Sequence, residues 1–371
     1  ENYSYGTEIL PQDGAIASLL ALEKAIKAVR GLLAAPWDEY LQWIDTELNR
    51  LWQMRGAYPG LGAALHAYGL PHGNLLAWHL AGSSEEAVDP WPLLSAALKD
   101  PSSLADNLRE GLYDKKKKKW EKLPETRRAL LKLLARFNLS NGQALRWYQE
   151  TERTKAGIDV GDADIVANPY RIYEGDRLQA DAIAFAVIDR GMFPPESLRK
   201  ECPLPEPSCI HEAIDPRRVR AVMIQTLEEA ALEEGHTYLP ANWLIQRIRD
   251  RPMKPECPLD ADTLPIIEEC LSPLIETLSL KNHANAYQLD RYVETSALIR
   301  DKIDKRKKRK PNAGDYNWTA LVNTAIDNGE KPAKLSDDDV KARQEKAAAL
   351  EILYKSGVCV LMGSAGTGKS T

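Results

Sequence analysis

No stretch of this chain approaches the ~20 consecutive apolar residues that a membrane-crossing helix needs, and no secretory leader can be read at its start. Neither a membrane partner nor a secretory route is expected, which makes the cytoplasm the expected address. Cysteine is scarce: residues 202, 209, 257, 270 and 359 are odd in number and form no C-x-x-C pair, which argues against a disulfide framework. Cys202, Cys209, His211 and Cys257 could be drawn together as a zinc site. Their spacing fits no usual pattern in a proline-rich segment, so a loop with incidental thiols is the expectation there. An internal repeat of fixed period is also missing, as is net positive charge. At a formal −5 the composition does not announce a nucleic-acid binder.

What is present is a 371-residue chain, 44% hydrophobic and 28% charged, long enough for two or three modest cores. Its cations are concentrated. Lys115 to Lys119 are five consecutive lysines, and Arg300 to Lys310 carries eight basic residues against two acidic ones. Such runs can neutralise phosphates, although a solvated loop or helix end is the alternative in each case.

Apolar spacing of three and four predicts a mainly α fold. Leu19, Leu22, Ile26, Val29 and Leu33 define one helix face, and Leu41, Ile44, Leu48 and Leu51 another, with Pro36 in the first turn. The turn Gly60-Leu61-Gly62 follows. Two glycines flanking one apolar residue would let the backbone reverse while Leu61 plugs the core and the amides face outward, where they can hold a DNA phosphate. A plain glycine-rich connection is the other reading of the same residues. A second hairpin is expected where Leu139-Ser140-Asn141-Gly142 separates two helical stretches, giving Gly142 as a further DNA-binding candidate. Pro216 to Glu234 reads as a helix closed by Gly235. His236 to Tyr292 alternates short segments with helices, as a small winged-helix-like unit would. Ser336 with Asp339 forms a capping-box-like start to a helix ending at Ser356-Gly357. The expected divisions are 1–100, a helical domain with the glycine hairpin; 101–235, tandem helix-hairpin-helix-like units; 236–330, the winged-helix-like or helical segment with its basic linker; and 331–371. The nine tryptophans could stack on bases, but core packing is the expectation for tryptophans at helical spacing.

The most specific signal lies in the last division. Gly363-Ser364-Ala365-Gly366-Thr367-Gly368-Lys369-Ser370-Thr371 contains a complete G-x-x-x-x-G-K-[ST] loop directly after Val358-Cys359-Val360-Leu361-Met362, which reads as the buried strand that such a loop leaves. The glycines let successive N–H groups turn inward on a phosphate, Lys369 supplies a cation for the β- and γ-phosphates of ATP, and Ser370 offers a hydroxyl to Mg²⁺. The expectation is a P-loop site for Mg-ATP that opens an α/β ATPase domain. Glu1 and Thr371 are expected to be cuts through a larger protein, and the fragment alone is expected to lack ATP turnover.

Taken in order, several segments resemble the N-terminal half of a RecD-like superfamily 1 DNA helicase. They are Asn168-Pro169-Tyr170-Arg171-Ile172-Tyr173-Glu174, Asp181-Ala182-Ile183-Ala184, Asp215-Pro216-Arg217-Arg218-Val219-Arg220-Ala221, Gly235-His236-Thr237-Tyr238-Leu239-Pro240 and the phosphate loop itself. The likeness covers about residues 125 to 371 and is weaker before that. It implies helix-hairpin-helix units, 5′-to-3′ translocation on single-stranded or forked DNA driven by ATP, catalytic use of Lys369, and contact of Gln344 with the adenine. A glutamine amide can pair with both edges that adenine offers. An AAA+ ATPase and a non-catalytic DNA- or partner-docking module are the competing expectations.

Overall fold

The computed structural model describes residues 11–81, 89–109, 114–281, 284–327 and 335–362. They are mainly helical and divide into two compact units, 1–289 and 290–371. Among the described residues no helix is long and apolar enough to cross a membrane.

The first unit begins with an antiparallel pair, α1 (Gln12–Val29) and α2 (Trp37–Arg55). The α2 face read from the spacing meets α1 in a small core of Ile16, Leu20, Ile26, Ile44 and Leu48, whereas Leu22 and Leu33 of the expected α1 face are exposed, Leu33 because it lies past the helix end at Val29. Helix α3 (Leu61–Tyr68) is buried at every residue but His66, and α4 (Gly73–Ala81) packs on it. The connection that follows carries α5 (Pro90–Lys99), a short α6 (Asp106–Arg109) and α7 (Asp114–Glu121). Pro90 opens α5 behind an Asp89 cap, where its missing N–H costs nothing.

Next comes a run of short helices: α8 (Glu125–Leu134), α9 (Asn141–Tyr148), α10 (Glu150–Lys155), α11 (Asp162–Ala167), α12 (Arg171–Asp176), α13 (Phe185–Met192) and α14 (Glu196–Glu201). Helices α12 and α13 pack on α15 (Pro216–Glu233), whose residues 218 to 224 are all buried. Gly235 closes α15 at φ +75°, and the His236 amide reaches back to the Ala230 carbonyl at 2.9 Å, the glycine stop that the sequence predicts. From α15 the chain runs through β1 (Tyr238–Pro240), α16 (Ala241–Arg249), α17 (Thr263–Leu271), β2 (Ile275–Ser279) and β3 (Asn285–Leu289). The three strands form an antiparallel sheet in the order β1-β3-β2, with Leu239 opposite Tyr287 and Thr277 opposite the same tyrosine.

The second unit holds α18 (Asp290–Lys307), α19 (Trp318–Ile326) and α20 (Asp337–Lys355). Helix α20 starts at the expected capping box, in which Ser336 Oγ accepts the Asp339 amide at 3.2 Å. It ends at Lys355, as the Ser356-Gly357 stop predicts. Arg343 clamps α20 to α19 through both Asp327 oxygens. The sequence reading groups α18 and α19 with residues 236–330, whereas contacts place them with α20.

One expectation is overturned here. Val358 to Met362 forms no strand among the described residues, and its side chains are exposed, Met362 to 87%. A β-branched run identifies strand-forming residues, but burial requires neighbouring strands on both sides.

Candidate nucleic-acid interface

Two turns sit side by side in the first unit and share one design. In each, a buried aliphatic residue, Leu139 or Ile183, immediately precedes the N-cap of an eight-residue helix, α9 or α13. The residues around that cap, Ser140-Asn141-Gly142 in one turn and Asp181, Ala182 and Ala184 in the other, are exposed. The plug fixes the backbone while the start of the helix, with its inward-unpaired N–H groups and positive dipole end, faces solvent.

The first turn is set by a capping box: Ser140 Oγ accepts the Gln143 amide at 3.1 Å and Gln143 Oε1 accepts the Ser140 amide at 3.0 Å. The same Gln143 donates through Nε2 to the Asp181 carbonyl at 2.8 Å, which brings the second turn against the first. Arg146 adds a bond from Nη1 to Asp181 Oδ1 at 2.7 Å. That bond holds the exposed Asp181 carboxyl below its ordinary value.

Beneath the pair lies Asp176, which is fully buried. Its carboxylate accepts from Arg146 Nε and Nη2, from Trp147 Nε1 at 2.8 Å, and from the Ile183 amide at 2.7 Å. One carboxylate thus satisfies donors from both hairpins, the condition under which a buried charge is tolerated. Neighbouring Gly175 lets α12 approach closely, since a Cβ there would stand 2.9 Å from the Trp147 ring.

A second buried network anchors this block to α15. Arg218 forks both oxygens of Asp189 at 2.8 and 2.9 Å, and the Tyr170 hydroxyl donates to the same carboxylate at 2.6 Å. Arg220 forks Glu174 at 2.7 and 2.8 Å. Burial lifts the Glu174 carboxyl above its ordinary value even though Arg220 pulls the other way, and burial raises the Tyr170 hydroxyl further still. Arg217 instead ties Asp215 to the carbonyls of Ala167 and Cys209. The segments 168–174 and 215–221 therefore meet through side chains, with Asp189 as the piece between them.

The sequence-derived candidates fall out unevenly. Gly142 is on the exposed turn, and a Cβ there would meet only Ser140 Oγ, at 3.8 Å. Leu61 is the plug that the sequence predicts, but the amides around it do not face outward. Gly60 and Gly62 are themselves buried, and the Gly60 N–H donates to the Ala135 carbonyl at 2.9 Å. A Cβ on Gly60 would lie 1.9 Å from the Phe137 carbonyl oxygen, and one on Gly62 would lie 2.0 Å from Asn74 Oδ1. Both glycines serve close helix packing. Gln344 is exposed on α20. Gly363, Ser364, Ala365, Gly366, Thr367, Gly368, Lys369, Ser370 and Thr371 lie outside the described residues.

Part of the lysine run is tied to the fold, while Lys118 and Lys119 stay exposed. Lys116 and Lys117 donate to the carbonyls of Gly69 and Lys99, and Lys119 lies over the Tyr68 ring at 5.2 Å. Trp120 at its end is buried against Trp91, the two rings stacked at 6.4 Å. Among the described residues no group of three His, Cys, Asp or Glu side chains is placed to hold a metal. A cavity of about 740 Å³ lies between α1, α2 and the residues around Phe193 and Pro252. Its Asp189 pairs with Arg218 and its Arg251 with Glu229.

The residues that sequence reasoning missed are Asp176, Asp189 and Arg146. A usable signal existed for Asp189, a lone carboxylate amid the apolar residues 183–193, which has to find a cation when that helix is buried. Comparison with protein-family models, with curated proteins and with solved structures gives no match.

Proposed function

We propose that this chain is the DNA-engaging portion of an ATP-driven DNA helicase of the RecD-like type, working 5′ to 3′. The turns at Ser140–Gly142 and Asp181–Ala184 hold a phosphate backbone without reading its sequence, and Lys369 and Ser370 bind Mg-ATP. The observation that carries the reading is the convergence of the segments behind the resemblance. Residues 168–174 and 181–184 lie close in the chain and 215–221 well beyond them, and all three belong to the buried networks that fix the paired turns and anchor them to α15. The element order α15-β1-α16-α17-β2-β3 with sheet order β1-β3-β2 supports a winged-helix-like unit after them.

For the winged-helix-like unit a docking role is favoured over DNA reading. Residues 255–280 contain six acidic residues and no basic one, and Ile266 on α17 is 79% exposed. Acidic side chains repel a phosphate backbone, and an exposed isoleucine is better matched to a protein surface.

Steady-state ATP hydrolysis by the intact protein, with and without single-stranded DNA, tests the reading. Hydrolysis stimulated by DNA and abolished by Lys369→Ala is the expected result; hydrolysis indifferent to DNA would overturn it.

A further inference from the structure

The second unit gathers three rings and a block of cations at one end of α20. Tyr316, Trp318 and Tyr354 pack with centroids 5.3 to 5.4 Å apart. The cluster is not closed over, because Tyr316 remains 50% exposed. The preceding chain is pinned against it. Asn312 Nδ2 donates to the Tyr354 carbonyl at 2.9 Å, and Gly314 lies so close that a Cβ would stand 2.3 Å from the Tyr316 ring and 2.6 Å from the Tyr354 hydroxyl oxygen. Gly357 likewise abuts the Arg306 carbonyl, at 2.3 Å from its built Cβ. These contacts hold Arg306, Lys307, Lys308, Arg309 and Lys310 beside the rings.

All five cations are exposed. Among the described residues only Lys307 has a carboxylate within reach, Asp304 at 4.0 Å. Like charges crowded on one helix end repel one another, and an anion lying along them relieves that repulsion. The paired turns of the first unit offer backbone amides and only Arg146, already bound to two aspartates, so they do not supply this charge.

We propose that this ring-and-cation platform binds an unpaired DNA strand, with the phosphates along Arg306–Lys310 and a base stacked on Tyr316. A run of five cations matches the repeating charge of a strand, and a half-exposed ring beside it offers the sequence-tolerant face that unpaired bases use. Duplex DNA, whose bases are already stacked, cannot use the ring. The proposal rests on reading the chain as a DNA motor and adds where the single strand lies.

The test is fluorescence anisotropy of the whole chain with a labelled ~20-nucleotide oligothymidylate, an abasic strand of equal length and charge, and a blunt duplex. Oligothymidylate should bind about tenfold tighter than the abasic strand, a difference that Tyr316→Ala removes and Tyr316→Phe retains. The variant K308E/R309E/K310E should weaken both strands by tenfold or more at low salt and flatten the salt dependence. Tyr316→Ala should leave duplex binding unchanged. Equal affinity for thymidylate and abasic strands, or a preference that survives Tyr316→Ala, would overturn the platform even where duplex binding by the paired turns is intact. Absence of duplex binding, by contrast, counts against the proposed function.

Discussion

Two turns in the first unit, Gly60-Leu61-Gly62 and Ser140-Asn141-Gly142, have the same form and opposite fates. The glycine-rich one is buried, its first amide spent on the Ala135 carbonyl, with no room for a Cβ at either glycine. The glycine-poor one is exposed and has room at Gly142. Glycine reports that something approaches the backbone closely, and that something is as readily another helix as a ligand. The pair at Leu139 and Ile183 combines an apolar plug with a solvent-facing helix start, the combination on which the proposed phosphate grip depends.

Asp176→Ala should have the largest effect on this contrast, because it strips the exposed pair of its common anchor, leaves Arg146 with Asp181 alone and leaves the Trp147 N–H without its partner. Loss of roughly 3–5 kcal/mol is expected in chemical denaturation. A loss below about 1 kcal/mol would show that the turns are held otherwise. Gly60→Ala comes next, at about 1–3 kcal/mol or more from overpacking against the Phe137 carbonyl. Gly142→Ala in the open first turn of α9 should instead stabilise by about 0.5–1 kcal/mol. Equal effects at the two glycines would erase the contrast.

The smallest effect is a pH dependence confined to the exposed pair. The folded Asp181 carboxyl lies below its ordinary 3.8, so its contribution is fully present above that value and fades as pH falls through the depressed folded one. Removing it with Asp181→Asn should flatten the acid limb of the unfolding curve in that window alone. An unchanged limb would detach Asp181 from the stability of the turn.

What was legible in the sequence was what neighbours along the chain decide. The Ser336–Asp339 capping box, the Gly235 stop of α15 and the apolar face of α2 depend on spacings of three or four, and they stand where the spacing puts them, while the buried face of α1 runs through Ile16 and Leu20 and leaves Leu22 outside. Which way a turn faces depends on distant residues. Phe137 and Asn74 bury the glycine turn, and the carbonyls of Gly69 and Lys99 take up Lys116 and Lys117 of the lysine run. Asp176 escaped notice for the same reason, since its donors come from residues 146, 147 and 183.

The paired turns as a phosphate grip can be tested most directly by forked-DNA affinity of the double variant Gly142→Glu with Ala182→Glu, measured by anisotropy beside its thermal midpoint. Both positions are exposed, so the fold should be retained while two new carboxylates face the backbone phosphates. The account expects affinity to fall tenfold or more at an unchanged midpoint; forked DNA bound as tightly as by the unaltered chain would contradict it.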